Sequence, residues 1–75
     1  MTKYKNLSGK STVAMYDIAK DGVTIRFTTH SVYIYSAQSA GSANVRQMKI
    51  LALAGKGLGT FIVANLKDKF ARKVR

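Results

Sequence analysis

The sequence predicts an α+β domain: a three-stranded antiparallel β-meander followed by two helices packed on one face of the sheet. Three observations lead there. Val23-Thr24-Ile25-Arg26-Phe27-Thr28 alternates strictly between apolar and polar residues, the period of a half-buried strand. Short turn segments flank it, Lys20-Asp21-Gly22 before and Thr29-His30-Ser31 after, and turns this short join antiparallel neighbours. After Ser36 the apolar spacing changes to that of helices, through Val45, Met48, Leu51 and Ala52 and then through Ile62, Leu66, Phe70 and Val74. Strands first and helices afterwards define an α+β order, β-β-β-α-α.

Taken in order, residues 1–10 are basic and polar and read as a loosely held N-terminal arm; residues 11–75 form the single domain. Val13 to Ile18 is the first strand. Asp21-Gly22 is a hairpin signal, because this pair readily supplies positive φ angles. Val23 to Thr28 is the second strand and Val32 to Ser36 the third. Ala37 to Ala43 is a small, polar connection. Ser42 or Asn44 caps the first helix, and Asn44 with Gln47 resembles a capping box. Gly55 or Gly57 ends that helix in a left-handed conformation. The second helix starts near Gly59 or Thr60 and runs to the C-terminus, carrying Lys67, Lys69, Arg72, Lys73 and Arg75 on its second half.

Composition bounds the function. The chain has 75 residues, with 13 Lys and Arg against three acidic residues, a net charge of +10. Such an excess favours anionic partners: nucleic acid, phosphorylated small molecules, acidic protein surfaces or anionic lipid. There is no cysteine, so neither a disulfide nor a thiolate metal site is available. The expected location is the cytoplasm, since the N-terminus lacks an apolar signal region and the run Ile50 to Ala54 is far too short to span a bilayer. Asp17, Asp21 and Asp68 are the acidic residues and His30 is the single histidine. No paired carboxylates, nucleophile-base set or metal cluster follows from these, so neither an enzyme nor a cofactor site is expected. Gly9-Lys10-Ser11 is not the end of a phosphate-binding loop, because Tyr4 stands where that motif needs glycine.

Two segments carry the binding chemistry. In Val32-Tyr33-Ile34-Tyr35 both tyrosines share one strand face and Val32 and Ile34 share the other. If the aliphatic face packs on the helices, Tyr33 and Tyr35 are exposed beside Arg26 and can stack on bases. If the tyrosines pack inward, they are core residues with their hydroxyls at the edge. In Gly55-Lys56-Gly57-Leu58-Gly59, glycines before a helix either let a phosphate approach backbone amides, with Lys56 beside them, or provide the φ angles of a tight helix-helix corner.

Tyr16 in the first strand, Phe27 closing the second, the central Tyr33-Ile34-Tyr35 and the corner from Ala54 to Ile62, with a basic segment ending near Phe70, occur in an order and spacing that resembles the KTSC domain. That family is named for a C-terminal appendage of some lysyl-tRNA synthetases and also occurs as a stand-alone domain in small bacterial and phage proteins. The resemblance covers residues ~11–71. It implies the α+β fold, and RNA binding is the function usually suggested for the family. Thr29-His30-Ser31 departs from the glycine often found at that turn, and Gly59 from a small polar helix cap.

These observations define the expected function: a non-enzymatic module for a phosphate-bearing ligand, foremost RNA or single-stranded DNA. Lys56, Lys67, Lys69, Arg72 and Lys73 would contact phosphate, with Gly57 and Gly59 opening the amides of the corner. Tyr33 and Tyr35 would stack, supported by Arg26. The alternative is a phage-type accessory protein, homo-oligomeric in one version, that sequesters a nucleotide signal or blocks an acidic host protein.

Overall fold

Thr2–Lys3 and Arg72–Lys73 join the sheet, so among the described residues the meander has five strands where three are expected. The computed structural model describes residues 2–7, 9, 12–66 and 69–74. The elements are β1 (Thr2–Lys3), β2 (Val13–Ala19), β3 (Gly22–Phe27), β4 (Val32–Ser36), α1 (Ala37–Ala40), α2 (Ser42–Ala54), α3 (Leu58–Asn65) and β5 (Arg72–Lys73). The strands lie in sequence order and every neighbouring pair is antiparallel. The α+β class holds; among the described residues the strand count, the helix count (three where two are expected), the helical boundaries and the element order, with β5 after the helices, differ from expectation.

Cross-strand register sorts side chains between the two faces. Tyr16, Ile25 and Tyr33 lie side by side, as do Ile18, Val23 and Tyr35. That face carries the buried residues Tyr16, Val23, Ile25 and Tyr35, which pack with Val45, Met48 and Ala52 of α2 and with Leu58 and Ile62 of α3. The opposite face carries Met15, Asp17, Thr24, Arg26, Val32, Ile34 and Arg72, none of them buried. Burying one face and solvating the other is the usual economy of an antiparallel sheet with helices on one side.

Residues 2–7 lie against the rest of the fold where a loose arm is expected. Thr2 and Lys3 pair with Tyr16 and Met15. Tyr4 follows, only 2% exposed, and its ring meets Tyr16 edge-on at a centroid distance of 6.5 Å. A basic surround hid this residue from a composition-based reading, but a tyrosine buries a large apolar area and anchors the backbone that carries it.

The second helix stops early. It ends at Asn65, and the chain turns back so that Phe70 packs on Tyr33 and Arg72–Lys73 pairs with β4. Two local causes act against continuation. The Asn65 side chain donates to the Phe61 carbonyl at 3.1 Å, a side-chain bond that competes with the helical ladder. The clustered cations beyond it would repel one another at helical spacing. Ala71 and Val74 instead donate backbone N–H groups to the carbonyls of Ile34 and Val32, at 2.7 Å each.

The turns also differ in detail. The connection after β4 contains α1, closed by a capping box between Ser36 and Ser39. The cap of α2 is Gly41, and the Asn44 side chain donates to the Ala40 carbonyl at 2.7 Å instead of capping the helix. Gly22 does not adopt positive φ; glycine is needed there because a Cβ would collide with the Tyr35 backbone carbonyl. His30, by contrast, sits at φ 71, the left-handed region that glycine would occupy without strain.

At the α2–α3 corner Gly55 and Gly57 both take left-handed conformations, at φ 80 and 81. A Cβ on Gly55 would lie 2.7 Å from Cβ of Lys5, whereas one on Gly57 would lie 3.6 Å from Leu51. Gly55→Ala should therefore destabilise more than Gly57→Ala, since the left-handed penalty of roughly 1–2 kcal/mol is common to both. Urea unfolding of the two variants measures the difference, and equal midpoints would contradict the close approach. In the same assay Tyr4→Phe should lose about 1–2 kcal/mol with an unchanged m value, because it strips the hydroxyl from a buried hydrogen bond described below.

Candidate functional site

The register of β4 decides which way its tyrosines point. Both face the helices. Tyr35 is 2% exposed and belongs to the core. Tyr33 is half-buried against the core, with Phe27 edge-on at 5.5 Å, Phe70 at 4.8 Å and Tyr35 stacked at 6.5 Å between centroids. The exposed two-tyrosine platform is thus not formed. Strand β3 dictates this: its apolar residues Val23 and Ile25 stand directly beside Tyr35 and Tyr33, and the buried apolar face takes the tyrosines with it.

A cleft opens where this aromatic group meets α3. Phe27, Tyr33, Tyr35, Ile62 and Val63 supply its apolar walls, and Thr12, Thr29 and Ser31 add hydroxyls. Its volume is about 290 Å³. Among the described residues no buried side-chain nitrogen or oxygen lacks a partner. Burial pushes the Tyr35 phenol up to about 12 from 10.0, with the neighbouring Tyr33 adding to the shift. The group therefore remains a neutral hydroxyl throughout the physiological range. Lys73 stands opposite Tyr33 across the β4–β5 ladder and places its Nζ 5.6 Å from the ring centroid, within cation–π range.

The remaining expected site residues do not converge on one place. Arg72 pairs with Ile34 and so belongs to the other face of the sheet, together with Arg26. The Arg26 guanidinium donates to His30 Nδ1 at 3.2 Å, which leaves the proton of the neutral ring on Nε2. Lys69 is exposed on the turn leading into β5. Lys67 lies outside the described residues.

Lys56 and Gly57 are exposed at the α2–α3 corner, against the N-terminal segment and so at the β1 side of the fold. Gly59 is buried. The chain itself fills this corner. Leu7 donates its N–H to the Gly55 carbonyl at 2.7 Å. The Tyr4 hydroxyl accepts the N–H of Leu58 at 3.2 Å, the bond that the Phe variant would remove. One of the amides a phosphate would need is thereby already satisfied, and the glycines are explained by backbone geometry and close approach.

Sequence reasoning did not find Tyr4, Thr12, Phe27, Ile62 or Val63 as parts of a site. The available signal was weak: Phe27 ends the one strictly alternating strand, and Ile62 begins the apolar stripe of α3. Among the described residues no group of three His, Asp or Glu side chains could hold a metal ion, and no helix is long and apolar enough to cross a membrane. No family model matches the chain, and no curated protein or solved structure matches it either.

The Tyr35 shift has a consequence at high pH. Below pH 10.0 the phenol is neutral in folded and unfolded chains alike; between 10.0 and about 12 only the unfolded chain ionises it. Stability is therefore full below that window and falls across it, by about 2–3 kcal/mol at its upper end. Alkaline titration of the tyrosine ring signals by NMR should show the Tyr35 ring, assigned by its loss in Tyr35→Phe, ionising only near pH 12. A Tyr35 ring that ionises near pH 10.0 would refute the shift.

Proposed function

We propose that this domain binds single-stranded nucleic acid, RNA or DNA, along its β5 edge and does not catalyse. The observation that carries the proposal is the placement of Lys73 over the ring of Tyr33, a residue that also lines an aromatic cleft, with Lys69 and Arg72 on the same short stretch of chain. Cations that track a backbone beside aromatic side chains are the usual means of holding a single strand. The net charge of +10 supplies the long-range attraction. The KTSC-like order of Tyr16, Tyr33, Tyr35 and the glycine corner supports the same proposal.

A second proposal rests on the other face. Arg26 and Arg72 flank the half-buried apolar residues Val32 and Ile34 there. A surface of that kind suits an acidic protein with an apolar contact at its centre.

Fluorescence anisotropy with a labelled oligonucleotide across a salt series separates the two. Log affinity should fall linearly with log salt, because phosphate neutralisation releases counterions. Replacing Lys69 and Lys73 together by Gln should weaken binding and reduce the slope by about 1.4, at roughly 0.7 per phosphate contact on a single strand. The nucleic-acid proposal is falsified if the wild-type chain shows no salt slope or no binding at low salt.

A further inference from the structure

We infer that the cleft between β4 and α3 is a site for one unstacked nucleobase, with its ring between the walls and its polar edge toward the hydroxyl-bearing residues. The inference rests on the proposed nucleic-acid function and names what part of the ligand this site takes.

Size is the first argument. At about 290 Å³ the cleft sits at the bottom of the range for small-molecule sites, roughly 300–1,000 Å³. One ring system fits, and a stacked pair of bases does not. Because Tyr35 is buried, successive bases cannot lie along Tyr33 and Tyr35 as on an open platform. A base must instead leave its stack and enter edge-first.

Chemistry is the second argument. No Lys, Arg, Asp or Glu lines the cleft, so the inserted part of the ligand is uncharged. Phe27, Tyr33 and Ile62 present aromatic and aliphatic surface to its faces. Thr12, Thr29 and Ser31 carry hydroxyls that both donate and accept, matching the mixed donors and acceptors of a base edge. The Tyr35 phenol, held neutral by its burial, adds a donor. Charge is found one residue away: Lys73 does not line the cleft but stands over the ring of Tyr33, which does. An apolar interior with a cation beside one of its walls suits a nucleotide entering base-first, with its phosphate left outside.

The test is an NMR titration of the full chain, with the methyl groups of Ile62 and Val63 as reporters. The probes are the ribonucleoside monophosphates, with ribose phosphate as the baseless control. The nucleotides should move both methyl signals and ribose phosphate should not. Val63 is 65% exposed, so Val63→Trp narrows the mouth without disturbing the core, and it should weaken nucleotide binding about tenfold. Tyr35→Phe keeps the aromatic wall and should weaken binding severalfold through loss of its hydroxyl. The inference is overturned if ribose phosphate moves the same signals, or if no nucleotide moves them at millimolar concentration.

An abasic oligonucleotide separates this inference from the one beneath it. Equal affinity for abasic and normal strands, with the salt slope intact, would remove the base site and leave nucleic-acid binding standing. Nucleotides that occupy the cleft while oligonucleotides fail to bind at any salt would do the reverse.

Discussion

The bond from the Leu58 amide to the Tyr4 hydroxyl organises this molecule. It joins residues 54 positions apart in a chain of 75. The hydroxyl satisfies an otherwise open donor at the start of α3, while the ring fills the core beside Tyr16. One side chain thus fastens the first strand, the helix corner and the sheet together. The Leu7–Gly55 backbone bond and the close approach of Lys5 to Gly55 follow from that anchoring. A domain this small buries a modest fraction of its surface, so a single contact of this kind carries a large share of its cohesion.

The same anchoring redistributes the chemistry. With the glycine corner occupied by the chain's own N-terminal segment, the corner has fewer free backbone amides to offer an anion. The sheet runs from β1 to β5 across five strands, so its two edges stand roughly 19 Å apart at ordinary strand spacing. Lys56 and Gly57 belong near the first edge; Lys73 belongs to the other, and Tyr33 beside it in β4 connects that edge to the cleft. Residues that are all plausible phosphate contacts in a linear sequence become two separate groups in space. Arg26 and Arg72 make a third, on the uncovered face of the sheet.

Much of this was readable from residue spacing. The alternation from Val23 to Phe27 gave the strand and its buried face, and Tyr33 and Tyr35 had to share a face because the strand period is two. A left-handed helix terminus was readable at Gly55 or Gly57, and Gly55 is the one that ends α2. What escaped did so for physical reasons. The burial of Tyr4 depends on tertiary packing, and a lone aromatic among Lys3, Lys5 and Asn6 has no periodicity to reveal it. The stripe Ile62, Leu66, Phe70 and Val74 suits a helix, but Phe70 gains more by packing on Tyr33 than by extending a helix crowded with cations. The direction of the tyrosines required the pairing of β4 with β3, which local sequence does not encode.

The central claim is that ligand binds at the β5 edge and the adjoining cleft, not at the glycine corner. Amide shift mapping of the full chain with a bound single-stranded oligonucleotide tests this most directly. The account predicts perturbations centred on Tyr33, Phe70, Arg72 and Lys73, extending to Ser31 and Val63, with Gly55 to Thr60 left quiet. Perturbations centred on Lys56, Gly57 and Leu58 would contradict it, because they would require the Tyr4 hydroxyl to give up the Leu58 amide to a phosphate.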